Sequence, residues 1–253
     1  MRYGIGVTLW WMGCGSASVV PEKPPRANQD LVEEATSPVE DDGLDDLDVG
    51  LRGLTLGNAN GRPLVVALHG RGDHPTRFVR QAEGWADVAH VVVPAATIPY
   101  GRGFSWFDVR ARQDDPTLAA AVSEAARKVV QLVNARRAGN HPVVVTGFSQ
   151  GGMLSFALAT RAERVVDAAV PMGGFLPKDL WPEHRPEDAP PIFAVHGEAD
   201  TIIPVSFPQA TVAHLKTLGW PVELYTEPGV RHALSLGMMR KVDGAVRAGL
   251  SSR

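Results

Sequence analysis

Val143-Val144-Val145-Thr146-Gly147-Phe148-Ser149-Gln150-Gly151-Gly152 is the stretch that decides how this chain folds. Three consecutive β-branched apolar residues read as a strand buried on both faces, as in the middle of a parallel sheet. The run passes into a Gly-Phe-Ser-Gln-Gly turn and then into Met153-Leu154-Ser155-Phe156-Ala157-Leu158-Ala159, which suits a helix. A turn this tight strains the backbone of Ser149 and presses strand against helix, and glycines make room for that approach. The hydroxyl is left standing above the end of the strand, and the helix N-terminus behind it favours developing negative charge. Ser149 is therefore a candidate nucleophile.

The flanking sequence repeats the same alternation of strand and helix. Leu51–Leu56 and Pro63–Leu68 read as strands, the second ending in His69-Gly70-Arg71-Gly72-Asp73. Arg77–Val88 fits a short helix around Phe78, Ala82 and Trp85, and His90–Pro94 a third strand. A polar, aromatic loop, Tyr100–Asp108, follows. Thr117–Arg137 predicts a helix capped by Thr117, with Leu118, Val122, Ala125, Val129, Leu132 and Val133 at spacings of three and four. Beyond the central unit come strands at Val165–Val170, Ile192–His196 and Val222–Tyr225, and a helix at Val212–Leu218. The expected fold is α/β: a doubly wound, mostly parallel sheet with helices on both faces.

A chain of 253 residues has room for one such domain plus appendages, and its composition is that of an ordinary globular protein. The net charge of −3 argues neither for nor against nucleic acid, which is not expected as a partner. Acidity is concentrated between Glu22 and Asp48, where ten acidic residues face only Lys23 and Arg26. Residues 21–48 are Pro-rich and then acidic, with little apolar periodicity, and are expected to form a disordered tether. The folded domain is expected to span 49–253. Residues 1–20 resemble an export signal: Met1-Arg2 precede an uncharged, apolar Tyr3–Met12. The single cysteine, Cys14, excludes an internal disulfide framework. It sits where a bacterial lipoprotein would be cut and lipidated, although Trp11 stands where such sites usually carry Leu. Cleavage elsewhere, an uncleaved anchor over Tyr3–Val20 and a misassigned start are the competing readings. The first reading makes this an exported, membrane-anchored lipoprotein, and the last a cytoplasmic protein.

A serine becomes an effective nucleophile only beside a base that a carboxylate orients. Downstream of Ser149 lie His184, His196, His214 and His232. His196 ends a strand too early to follow a suitable acid, His214 falls in an amphipathic helix, and His184 in a Pro- and charge-rich loop. His232 directly follows the last strand and is the best base by position. Asp200, just past the Ile192–His196 strand and before an apolar turn, is the best acid, with Glu198 the fallback. The oxyanion of an acyl-transfer intermediate needs two N–H donors. Gln150, next to the nucleophile, supplies one, and Arg71, in the glycine-rich loop after the early strand, the other. That loop is not followed by Lys-Ser/Thr, which excludes a phosphate-binding P-loop.

Leu68-His69-Gly70-Arg71-Gly72-Asp73, Ser105-Trp106-Phe107-Asp108, Gly147–Gly152, His196–Pro204 and the late His232 together resemble the phospholipase/carboxylesterase family, which includes acyl-protein thioesterases. The resemblance spans about residues 60–240. It implies an α/β-hydrolase with little or no lid, acting on short acyl esters, lysophospholipids or thioesters, with no metal and no cofactor. Tyr100, Phe104, Trp106 and Phe107 are candidates to line the substrate pocket, although half of them could equally belong to the core. Arg71 departs from the family pattern, in which acyl-protein thioesterases commonly carry Leu, and implies a more polar acyl channel. A thioesterase or peptidase on the same fold, and a non-catalytic surface-anchored binding protein, are the alternatives to an esterase.

Overall fold

The computed structural model describes residues 42–108 and 115–251. Cys14, the expected export signal and most of the expected tether, all within residues 1–41, lie outside the described residues. Among the described residues ten strands are formed: β1 Asp45–Asp46, β2 Arg52–Leu56, β3 Leu64–Leu68, β4 His90–Pro94, β5 Ile98–Tyr100, β6 Gly103–Ser105, β7 Val143–Phe148, β8 Ala168–Met172, β9 Ile192–Gly197 and β10 Val222–Glu227. The helices are α1 Pro75–Phe78, α2 Pro116–Arg136, α3 Gln150–Ala159, α4 Ser206–Thr217 and α5 Leu236–Ser251.

Eight strands make one sheet in the order β1-β2-β4-β3-β7-β8-β9-β10, and β5 and β6 form a separate hairpin. From β4 to β10 all neighbours are parallel, and β2 runs antiparallel to both of its neighbours, β1 and β4. β3, β4, β7 and β8 are buried at nearly every residue, as apolar runs in a sheet covered on both faces must be. Successive residues of β7 alternate between the two faces. Val143 and Val145 pack with α2, α3 and α4, while Val144 packs with α5 and with Phe78 and Trp85. The chain leaves β3 for β4 on one side and returns to β7 on the other. That reversal opens a crevice beyond the carboxyl ends of β3 and β7, where open α/β sheets bind their ligands. Leu68 and Gly147 are register partners there, so the loops that follow them are neighbours.

Several boundaries differ from the sequence reading. Leu44 and Leu47 are buried, β1 pairs with β2, and Arg52 binds Asp42 and the Leu44 carbonyl, so the fold begins before residue 49. The expected helix at 77–88 is α1 followed by two 3₁₀ turns, Val79–Gln81 and Glu83–Trp85, which still bury Phe78 and Trp85. Asp115, not Thr117, caps α2 by accepting from Thr117 N. β8 starts at Ala168 because the Asp167 carboxylate is engaged by Val143 N at 2.8 Å.

Two fully buried histidines, His69 and His196, make the fold sensitive to acid. Burial holds both below their ordinary value of 6.5. The unfolded chain therefore binds protons that the folded chain refuses. Stability is intact above 6.5 and is lost as pH falls from there through the folded values. Tm should be level above about pH 7 and fall by several degrees by about pH 5.5. A Tm that holds level across that interval would contradict this account.

Candidate active site

Ser149 sits between β7 and α3 with φ 57° and ψ −112°, a conformation costly for a residue with a side chain. Its N–H donates to the Met172 carbonyl at 2.9 Å, which holds the turn against β8. The flanking glycines are needed for the approach of backbone to backbone. A Cβ on Gly151 would overlap the Leu68 carbonyl, and one on Gly147 would lie 2.7 Å from Leu68 O.

The crevice brings together the three side chains chosen from chain order. His232 Nε2 lies 2.9 Å from Ser149 Oγ, and His232 Nδ1 lies 2.6 Å from Asp200 Oδ2. The other oxygen, Asp200 Oδ1, accepts from Ile202 N and Ile203 N, each at 2.8 Å. Asp200 is buried, whereas the His232 side chain keeps 18% of its surface exposed, enough for a substrate to meet it. An ionised carboxylate only accepts, so the ring proton belongs on Nδ1 and Nε2 is left to receive the serine proton. The imidazole also lies against the Phe148 ring, centroids 4.8 Å apart. Glu198, the fallback acid, is exposed and accepts instead from Thr226 Oγ1 at 2.7 Å.

The loop after β3 faces the serine from the other side. A Cβ on Gly70 would stand 3.4 Å from Ser149 Cβ. Among the described residues, neither the Arg71 amide nor the Gln150 amide donates to a protein acceptor. The Gln150 amide is one of the first N–H groups of α3, which have no partner within the helix. Two backbone donors, one on each of these neighbouring loops, are thus left without a protein acceptor.

The aromatic residues divide into two pairs. Trp106 and Phe107 are 5% and 3% exposed and belong to the core, which corrects their assignment to a substrate surface. They border a cavity of about 300 Å³ against α2, whose lining includes neither Ser149 nor His232. Phe104 is half-buried with its ring 5.3 Å from that of His74. Tyr100 is exposed, and the Arg71 guanidinium lies 4.3 Å above its ring while also pairing with Asp108 at 2.9 Å. Sequence reasoning missed the Gln150 side chain. Its Oε1 accepts from Trp106 N at 2.9 Å and its Nε2 donates to Phe107 O at 2.7 Å, tying the 105–107 segment to the serine turn.

The family model described as Phospholipase/Carboxylesterase matches residues 56–248. The chain is 29% identical over 193 residues to a probable inactive carboxylesterase of Oryza sativa subsp. japonica, covering 67% of this chain and 78% of the rice protein. It is 26% identical over 207 residues to acyl-protein thioesterase 1 of Candida albicans, covering 72% of this chain and 90% of that protein. Among solved structures, esterase PE8 superposes with a TM-score of 0.69 at 24% identity, over 79% of this chain and 99% of PE8. The buried parallel sheet, the serine turn at its switch point and the matched span lead to one conclusion: this chain belongs to the phospholipase/carboxylesterase family of ester hydrolases on the α/β-hydrolase fold.

Proposed function

We propose that the protein is a serine carboxylesterase that hydrolyses short acyl or lysophospholipid-like esters through an acyl-enzyme. The observation that carries this reading is the hydrogen-bonded chain from Ser149 through His232 to Asp200 beside two unengaged amides. Ser149 Oγ attacks the acyl carbon as its proton passes to His232 Nε2. Negative charge gathers on the carbonyl oxygen, where the Gln150 and Arg71 amides meet it. The imidazolium is held by Asp200 and returns its proton to the departing alkoxide, leaving the acyl group on Ser149. Water then attacks the acyl carbon, again losing its proton to Nε2, and Ser149 is regenerated as the acid leaves. Tyr100 and Arg71, at the surface of the loop, give the rim of the site an aromatic and a cationic contact for the substrate.

A thioester substrate is the second reading, supported by the similarity to acyl-protein thioesterase 1. Matched oxygen and thiol esters of one acyl group, followed by a chain-length series, separate the two. A kcat/KM ratio that favours the thioester at every chain length would overturn the carboxylesterase assignment. We also propose export and lipidation at Cys14, on the strength of the apolar segment before it. Cys14→Ser should abolish detergent-phase partitioning and lower the mass of the N-terminal peptide by that of the lipid. Unchanged partitioning and mass would remove the anchor.

A further inference from the structure

We propose that His69, outside the Ser149-His232-Asp200 chain, is a positioning residue that aims the Arg71 amide at the developing oxyanion; the inference rests on the esterase reading above. The His69 ring is fully buried and both of its nitrogens are engaged. Ala96 N lies 3.1 Å from Nε2, and because a backbone N–H can only donate, Nε2 must carry a lone pair. The proton of the neutral ring is therefore on Nδ1, which donates to the Gly70 carbonyl at 2.7 Å. Burial lowers the pKa of the ring and keeps it in this neutral form.

The consequence lies in the geometry of the peptide. Gly70 C=O and Arg71 N–H belong to one planar trans unit and point in opposite directions. A carbonyl drawn toward the ring of His69 turns the Arg71 amide away from it. The same carbonyl accepts from Asp73 N at 3.2 Å, which adds a second restraint. Gly70 lacks the side chain that would otherwise resist rotation of this peptide, so the restraint has to come from its neighbours. His69 is itself anchored, because Trp106 Nε1 donates to its carbonyl at 2.9 Å. Trp106 N in turn donates to the Gln150 side chain at 2.9 Å. Trp106 thus couples the Gln150 side chain to the His69 carbonyl at the start of the loop that carries Arg71. Only a neutral histidine meets both demands at position 69: a donor toward Gly70 and an acceptor for Ala96.

The test compares two amide substitutions in the full-length protein. In His69→Asn the side-chain amide reaches the place of Nδ1 and still donates to Gly70. In His69→Gln it reaches the place of Nε2, satisfies Ala96 and leaves the Gly70 carbonyl free. His69→Gln should lose about 10²–10³ in kcat with KM changed less than about threefold, and His69→Asn should stay within about tenfold of the parent. An alkyl boronic acid, whose tetrahedral adduct places an oxygen where the oxyanion forms, should weaken in parallel with kcat. Should His69→Gln not fold, Trp106→Phe, which lacks the donor to the His69 carbonyl, should lose about tenfold in kcat at constant KM. Equal losses in the two amide variants, or a loss confined to KM, would overturn the role of His69 while leaving the esterase intact. An absence of Ser149-dependent hydrolysis in the parent would overturn the esterase reading and this inference with it.

Discussion

Ser149→Ala should lower kcat for ester hydrolysis by about 10⁴-fold or more and leave the fold unchanged. The loss is this large because in the proposed mechanism the hydroxyl is the atom that forms the acyl bond, and the side chains around it act as a unit. His232 and Asp200 without it can only orient water, which is not held 2.9 Å from the base as Oγ is. The fold is spared because alanine keeps the Cβ at φ 57° and loses only an exchangeable bond to His232. Ser149→Gly separates the two effects. It is equally inactive, yet it releases a backbone strain of about 1–3 kcal/mol and should raise Tm by several degrees. A fluorophosphonate probe with turnover on a chromogenic ester provides the activity readout. Equal labelling of parent and Ser149→Ala would place the nucleophile elsewhere.

The buried strands and the serine turn were legible because local sequence determines them. Val143-Val144-Val145 suits only an environment apolar on both faces, and glycines at 147 and 151 are forced by backbone contacts. Ser149, Asp200 and His232 were legible from chain order, since each ends or follows a strand at the carboxyl edge of the sheet. The 42–48 segment was not. Its composition is acidic, but Leu44 and Leu47 alone are enough to seat it, with Arg52 neutralising Asp42. Trp106 and Phe107 look like pocket residues in a polar loop. What draws them inward are hydrogen bonds to His69 O and to the Gln150 side chain, partners distant in sequence.

The histidines show the same limit. His196, set aside as a base on position, is fully buried and engaged: its Nε2 lies 2.8 Å from Ile203 O and 3.3 Å from Asp200 Oδ2, at the turn that carries Asp200. His69 reads as part of a glycine-rich loop, and its task depends on Ala96, which follows β4. Residues that react announce themselves by type and order. Residues that aim them do so through backbone groups, which carry no signature in the sequence, so their roles appear only once the chain is folded.

Asp200→Asn tests the acid, and it should cost about 10⁴ in kcat although the two side chains have nearly the same shape. The carboxylate is asymmetric in its surroundings. Oδ1 accepts two backbone N–H groups at 2.8 Å, so the carbonyl oxygen of an asparagine must take that place. Its amide nitrogen then faces His232 Nδ1, where a donor meets a donor. The ring resolves the conflict by moving its proton to Nε2, and in that tautomer it donates to Ser149 and cannot accept the serine proton. The reverse orientation keeps an oxygen on His232 Nδ1 but sets the amide nitrogen against Ile202 N and Ile203 N and leaves both donors without an acceptor, at a cost of about 1–3 kcal/mol for the buried Ile203 N–H. The first orientation is therefore favoured, and in it the base is lost while the protein stays folded. Glu198→Gln supplies the control, because Glu198 binds Thr226 at the surface and should change kcat by less than about twofold. Should Asp200→Asn retain more than about a tenth of parental activity while Glu198→Gln loses most of it, the carboxylate that orients His232 during turnover is Glu198, and the 2.6 Å bond to Asp200 is a resting contact.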